Sequence, residues 1–306
     1  MPQTRGTFIE LADNTDRAVF TLLGKEWRER KNIWKQFYDV KTSKKRSEIV
    51  MTVMGVGDIP EKGEGAAFTT DIIRKAYDRE VLHTEFGNMF EVTMTALEDD
   101  RTSVLADHAK WFMFAARVVQ EKRAHILLNN GFTTETSPDG VSIFNTAHVL
   151  RNGENARNRP ATDADISWNS LNQGIIDWQT DQKFEAGQFM MPAEDLLLLV
   201  PPAAYLAADR VVNSKQLPGS ADNDRNSINA LFNITILPSP YLTDTDAWIL
   251  LTKDKSNHGF CSYQRIGMTM LEPMTDPNTR NRMYPIRWRQ SWMNRWWQGS
   301  YASVGA

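Results

Sequence analysis

Apolar positions along this chain switch between two spacings, and the switches mark out its elements. Residues 47–54, SEIVMTVM, read as a strand, and 66–73, AAFTTDII, as its antiparallel return. Between them, GVGDIPEKGEG carries Gly55, Gly57, Gly63 and Gly65 together with Pro60, so the pair reads as a long hairpin with a glycine-rich tip. An isolated two-stranded ribbon is marginal in water, and this one is expected to need a surface outside its own domain, such as a neighbour. Phe90, Val92 and Met94 alternate with Glu91, Thr93 and Thr95, which predicts a further strand within 80–97.

The period then lengthens. Leu97, Val104, Leu105, Phe112, Ala115, Ala116, Val119 and Ile126 recur at helical spacing, with Glu98, Asp99 and Asp100 at the end that favours negative charge and Gly131 as the stop. Some 30 residues at 1.5 Å each would make a rod of roughly 45 Å, a backbone for the molecule. After the turn SPDG (137–140) come a helix over 168–183 carrying Leu171, Ile175 and Trp178, a buried strand 195–200 and a helix 203–214. Strands 233–237 and 247–252 complete a second α/β unit. From about 258 the pattern returns to long strands, 259–271 and 282–297, joined by EPMTDPNTR. Residues 1–40 mix a short helical pattern (Leu22, Leu23 and Trp27 behind Thr15 and Asp16) with polar stretches, and read as an arm outside the core.

The stretch RWRQSWMNRWWQGS, 287–300, holds four tryptophans and three arginines. Trp288, Trp292 and Trp296 fit one helix face or one strand face. Content favours the strand, with Ile286, Trp288, Gln290, Trp292, Asn294 and Trp296 on one side and Arg287, Arg289, Ser291, Met293 and Arg295 on the other. Two readings stay open: a packed structural strand, or an aromatic and basic nucleic-acid platform in which arginine holds phosphate and indoles stack on bases.

Composition narrows the choices. Lys plus Arg (35) nearly balances Asp plus Glu (38), so the net charge of −3 supplies no field to draw the whole molecule onto DNA or an anionic membrane. One cysteine, Cys261, excludes an internal disulfide framework and a thiolate metal cluster. The start, MPQTRGTFIEL, has no apolar signal core, and the run Leu196–Val200 ends at Pro201 and Pro202, too short for a bilayer span. A soluble protein made in a cytoplasm is expected. Chemistry is sparse: Glu61 stands where a phosphate loop needs glycine before Lys62, Pro60 interrupts the dinucleotide spacing, and His83, His108, His125, His148 and His258 form no metal-ligand pattern. No catalytic, cofactor or metal residue is assigned; an undetected α/β enzyme on 141–255 would require a pocket with converging polar groups.

The order of arm, glycine-tipped hairpin, strand, very long helix, inserted α/β unit and closing hairpin resembles the major capsid proteins of tailed bacteriophages, the Hong Kong 97 type. PEKGEGAAFTT, FEVTMTALEDD, LLNNGF followed by DGVSIFNTAHV, LLLVPPAAYLAADRVVNS and WWQGSYASVGA resemble the Mu-like major head subunit. The resemblance implies an α+β capsid fold with an N-terminal arm (1–40), an extended loop (41–80), a peripheral domain with a spine helix (81–140 and 256–306) and an axial domain (141–255). It further implies a non-enzymatic shell subunit without a cofactor, assembling with itself as hexamers and pentamers into an icosahedral cage around double-stranded DNA. Scaffolding or protease, portal and decoration proteins are the implied partners, with assembly in the host bacterial cytoplasm and residence in the virion. Gly55, Gly57, Lys62, Gly63, Gly65 and Phe68 are the expected inter-subunit contacts of the loop. Trp288, Trp292 and Trp296 are the expected structural residues of the last long strand.

Overall fold

A computed structural model of the chain describes residues 32–55, 58–65, 67–70, 74–98, 104–190, 194–217 and 224–306, with the side chains of 97, 98 and 104–109 outside the description. In chain order the elements are α1 (Trp34–Phe37), β1 (Asp39–Thr42), β2 (Ser47–Val53), β3 (Lys75–Leu82), β4 (Thr84–Val92), α2 (Met94–Glu98) and α3 (Val104–Asn129). There follow β5 (His148–Val149), β6 (Asn155–Ala156), α4 (Trp168–Asp181), β7 (Asp195–Val200), α5 (Tyr205–Asn213), α6 (Ser227–Leu231) and β8 (Asn233–Pro238). The chain closes with β9 (Trp248–Thr252), β10 (Phe260–Met270), β11 (Met274–Thr275), β12 (Arg282–Asn294) and β13 (Ser300–Ser303).

Two larger sheets carry the architecture. In the first, β12 is central: it pairs antiparallel with β10 along one edge and with β4 along the other, β1 adds parallel to β10, and β11 caps the end of β12. The second runs β13-β9-β7-β8, with β7 parallel to β8 and antiparallel to β9. Strand β7 reads as an unbroken apolar run because both faces of this sheet are covered. Leu197 and Leu199, with Ile249 and Leu251, pack toward α1 and α3; Leu196, Leu198 and Val200, with Trp248 and Leu250, pack toward α4 and α5. The period of two along a strand thus feeds two cores from one sheet. The ribbon β2–β3 and the pair β5–β6 stand apart.

Three expectations need correction. Residues 32–40 are not outside the core: Trp34, Phe37 and Tyr38 are fully buried, and Tyr38 donates its hydroxyl to Ala124 O at 2.8 Å; the apparent arm pattern in Leu22, Leu23 and Trp27 lies outside the described residues. The α/β unit does not end at 255, since β13 hydrogen-bonds to β9 from beyond the whole first sheet. The buried face of α3 is also rotated from the expected one. Met113, Ala116, Arg117, Gln120, Glu121, Ala124, His125 and Leu128 are buried, whereas Ala115 and Val119 are exposed. Polar residues disguised that face. Glu121 accepts the backbone N–H of Ile33 (2.6 Å) and Trp34 (3.1 Å), Arg117 donates to Asn32 (3.0 Å) and Gln120 donates to Gln290 (3.2 Å), so each of these three side chains is tied to another part of the chain. The helix has 26 described residues, about 39 Å, and stops beside Gly131, where a β-carbon would lie 2.6 Å from Leu127 O.

Candidate functional site

The hairpin was the element singled out from sequence, and its geometry differs from expectation in one respect. Its return strand is β3, 75–82, rather than 66–73: residues 67–70 are not strand, and 66 and 71–73 lie outside the described residues. KAYDREVL reads as polar, which hid its alternation. Tyr77, Arg79 and Val81 lie on one face with Val50 and Thr52, and Ile49, Met51 and Val53 lie on the other beside Asp78 and Glu80.

The first of these faces rests on the chain's own body. Val50 and Val81 pack against Cys261, Tyr263 and Met293; Tyr77 donates to Val149 O at 3.2 Å; Arg79 bonds Thr136 O; Arg151 stacks over Tyr77 and donates to Ala76 O at 2.5 Å. The expectation that the hairpin finds no support within its own chain therefore holds for only one face. On the outer face Ile49, Met51 and Val53 are each more than half exposed, an apolar row opposite acidic residues: Ile49 pairs with Glu80 and Met51 with Asp78.

At the tip, Gly55 and Gly65 have φ of 84° and 74°, a region that side-chain-bearing residues avoid, and Gly63 has open space around it. Phe68 is 85% exposed beneath the ammonium of Lys62, 4.1 Å from its ring centre. Gly57 lies outside the described residues. Sequence reasoning missed Ile59, which is exposed beside Pro60 at the same tip. Where the ribbon meets the body, a cleft of about 380 Å³ opens between Thr52, Met54, Phe184, Met190 and Trp296.

Two tryptophans of the tryptophan-rich strand pack into the body of the chain. Trp288 is 3% exposed and stacks on Phe86 at 5.2 Å; Trp292 meets Trp34 and Phe86 edge-on. Trp296 is not on the strand, because β12 ends at Asn294 and the chain turns there toward β13. Its half-buried ring lies under Arg295 at 4.4 Å. The arginines have protein partners: Arg287 with Glu85 at 2.6 Å, Arg289 with His83 O at 3.3 Å and Arg295 with Asp39 at 3.1 Å. No row of free rings is left for bases to stack on.

The histidines with described side chains are packed inside the fold. His83 lies between Ser43 and Ser291, and His125 between Glu121 O (2.7 Å) and Ser239 Oγ (2.8 Å). His148 stacks on Trp297 at 4.2 Å and bonds Asp139 at 2.5 Å. Burial holds His125 and His258 at pKa values of about 4, with nearby Arg295 adding to the effect at His258. The side chain of His108 is outside the description. Among the described residues there is no cluster of metal-ligating side chains and no helix long and apolar enough to cross a membrane. The polar depression at the start of β8 takes Glu194, Asp195, Asn213 and Asn229, but Asn233 bonds Asp195 at 2.5 Å, and its described lining holds no serine, cysteine or histidine.

The capsid of cyanophage P-SCSP1u is similar at a TM-score of 0.64 and 12% identity, over 90% of this chain and 89% of that one. The procapsid subunit of bacteriophage JBD30 gives 0.53 and 14%, over 99% and 77%, and the SrpI encapsulin of Synechococcus elongatus PCC 7942 gives 0.55 and 12%, over 91% and 89%. This is the Hong Kong 97-type fold. Residues 78–303 match the family model described as phage capsid protein, and the chain belongs to that family. None of the curated proteins matches this sequence.

Proposed function

We propose that the chain is the major head subunit of a tailed phage, self-assembling through hexamers and pentamers into an icosahedral shell around double-stranded DNA. One observation carries the reading beyond family membership: the outer face of β2–β3 presents Ile49, Met51 and Val53 to solvent, and the tip adds Ile59 and Phe68. A ribbon whose second face is apolar and open is stabilised when that face is covered, and a head-to-tail contact with the next copy closes a ring. Gly55, Gly63 and Gly65 let the tip bend to different lattice positions, Lys62 and Phe68 touch the neighbour, and Gly57 belongs to the same tip.

In this reading 41–80 is the extended loop, 81–140 with most of 256–306 the peripheral domain, and 141–255 with β13 the axial domain. Scaffolding or protease, portal and decoration proteins are the further partners, with assembly in the bacterial cytoplasm and residence in the virion. The narrower placement among Mu-like head subunits rests on the sequence resemblance. Near-neutral charge suits a container wall that must release its DNA, and the buried Trp288 and paired Arg295 argue against a nucleic-acid-binding module.

Purified protein, or protein co-expressed with its scaffold, is expected to form rings and closed shells in negative-stain micrographs. A monomer persisting at high concentration under both conditions overturns the reading.

A further inference from the structure

Where β2 ends, ribbon and body enclose the cleft of about 380 Å³ whose walls include Met54, Phe184, Met190 and Trp296. Met190 is buried, Met54 and Trp296 are half-buried, and Phe184 stays exposed. An apolar cavity of about 150 Å³ already takes a benzene ring, so this one admits an aromatic side chain. A single acidic side chain joins the lining. Glu185, 6% exposed, accepts the backbone N–H of Arg151 at 3.2 Å and the side-chain amide of Gln298 at 3.4 Å. Burial raises the pKa of its carboxyl, and a cation placed beside it favours the charged form.

Apolar walls with one acid suit a ring that carries a cation, and the same chain displays one at the ribbon tip. Phe68 is 85% exposed, and Lys62 Nζ stands 4.1 Å from its ring centre. Among the described tip residues, Phe68 is the one aromatic side chain; Ile59, equally open to solvent, is aliphatic. Phe68 does not line the cleft of its own chain, and its exposure leaves the ring available to another.

We propose that Phe68 of one subunit inserts into this cleft on the next copy, with Lys62 set beside Glu185 there. A second copy is the occupant because one chain carries both complementary parts, the ring with its ammonium and the apolar cleft with its carboxylate. Each subunit then gives one contact and receives another, the heterologous arrangement that closes rings. Aromatic anchors seated in desolvated pockets dominate interface energetics, which makes Phe68 the anchor of the ribbon contact. The inference rests on the shell reading and narrows it, since that reading requires only that the tip touch a neighbour.

Benzoylphenylalanine at position 68 tests the contact, because Phe68 is exposed and its replacement leaves the core intact. Full-length ¹⁵N-labelled chains carrying it are co-assembled with an excess of unlabelled parent, irradiated and digested. Adducts should join labelled position 68 to unlabelled peptides containing 184–190 or 296–298. Shells whose adducts lie within one chain, reach other segments or fail to form overturn the inference and leave the shell reading in place; a parent chain that makes no shells overturns both. Phe68→Ala should keep the parent melting temperature while raising the protein concentration at which shells first appear by about tenfold or more. An unchanged threshold also overturns the inference.

Discussion

Arg295 Nη2 lies 3.1 Å from Asp39 Oδ2, joining the end of β12 to the start of β1 across β10. Arg295 is nearly buried, so its charge depends on that partner. Asp39→Ala should therefore cost about 2–3 kcal/mol, less than the 3–5 of a fully enclosed pair because Asp39 is partly solvated. Urea denaturation at pH 7 measures the loss, and Arg295→Met with Asp39→Leu should recover most of it. A single-variant cost below about 0.5 kcal/mol, the range of ordinary surface substitutions, contradicts this role.

Acid should weaken the fold through two histidines. His125 and His258 are held neutral by burial, with native pKa values of about 4 against 6.5 for the free side chain. The unfolded chain binds their protons first, so stability is full above pH 6.5 and falls toward pH 4, by about 3 kcal/mol for each group. Glu121 and Glu185, whose carboxyls burial pushes upward, act in the opposite direction. The diagnostic is therefore a difference: H125Q/H258Q should show a flatter stability profile between pH 6.5 and 4 than the parent, and an identical profile rules the account out.

Gly259 touches the backbone of Trp296. A β-carbon there would lie 1.8 Å from Trp296 O and 2.7 Å from its N, and Arg295 N already bonds Gly259 O at 2.8 Å. Gly259→Ala must push β10 from the turn after β12 and should cost about 3 kcal/mol or prevent folding. Gly267, within β10 itself, has nothing within 4 Å of its β-carbon position, so Gly267→Ala should stay within about 0.5 kcal/mol. Thermal melts of the two variants decide, and equal melting temperatures refute the contrast.

Assembly can be separated from folding on the outer face of the ribbon. Lysine at Met51 would stand opposite Asp78, and lysine at Ile49 opposite Glu80. Such cross-strand pairs add roughly 0.2–1 kcal/mol, so I49K/M51K should keep the parent melting temperature yet yield no shells by microscopy. Normal shells from this variant remove the outer face from the interface.

Much of the architecture was legible because covered strands and helices keep their periods. Leu196–Val200, Trp168–Asp181 and the strands at 233–238 and 248–252 stand where alternation and helical spacing put them. Two of the errors share a cause: polar residues, buried in α3 and mostly exposed in β3, break the apolar patterns. Arg117, Gln120, Glu121 and His125 hid the inner face of α3, and Asp78, Arg79 and Glu80 hid β3 as the ribbon's return. Trp296 continued the strand pattern in sequence, but the chain turns after Asn294, where Gly259 admits the Trp296 backbone. The tip glycines were visible as breakers; that one face of the ribbon lies on Cys261, Tyr263 and Met293 required coordinates.

Strand β13 closes both cores at once: Ala302 packs with Trp34 and Leu251, and Tyr301 packs with Trp178 and Leu250. During synthesis, then, neither core can seal until residues 300–303 have cleared the ribosome, however early the preceding elements emerge. A chain truncated before residue 300 should therefore leave both cores unsealed and protease-sensitive, however complete the preceding elements are.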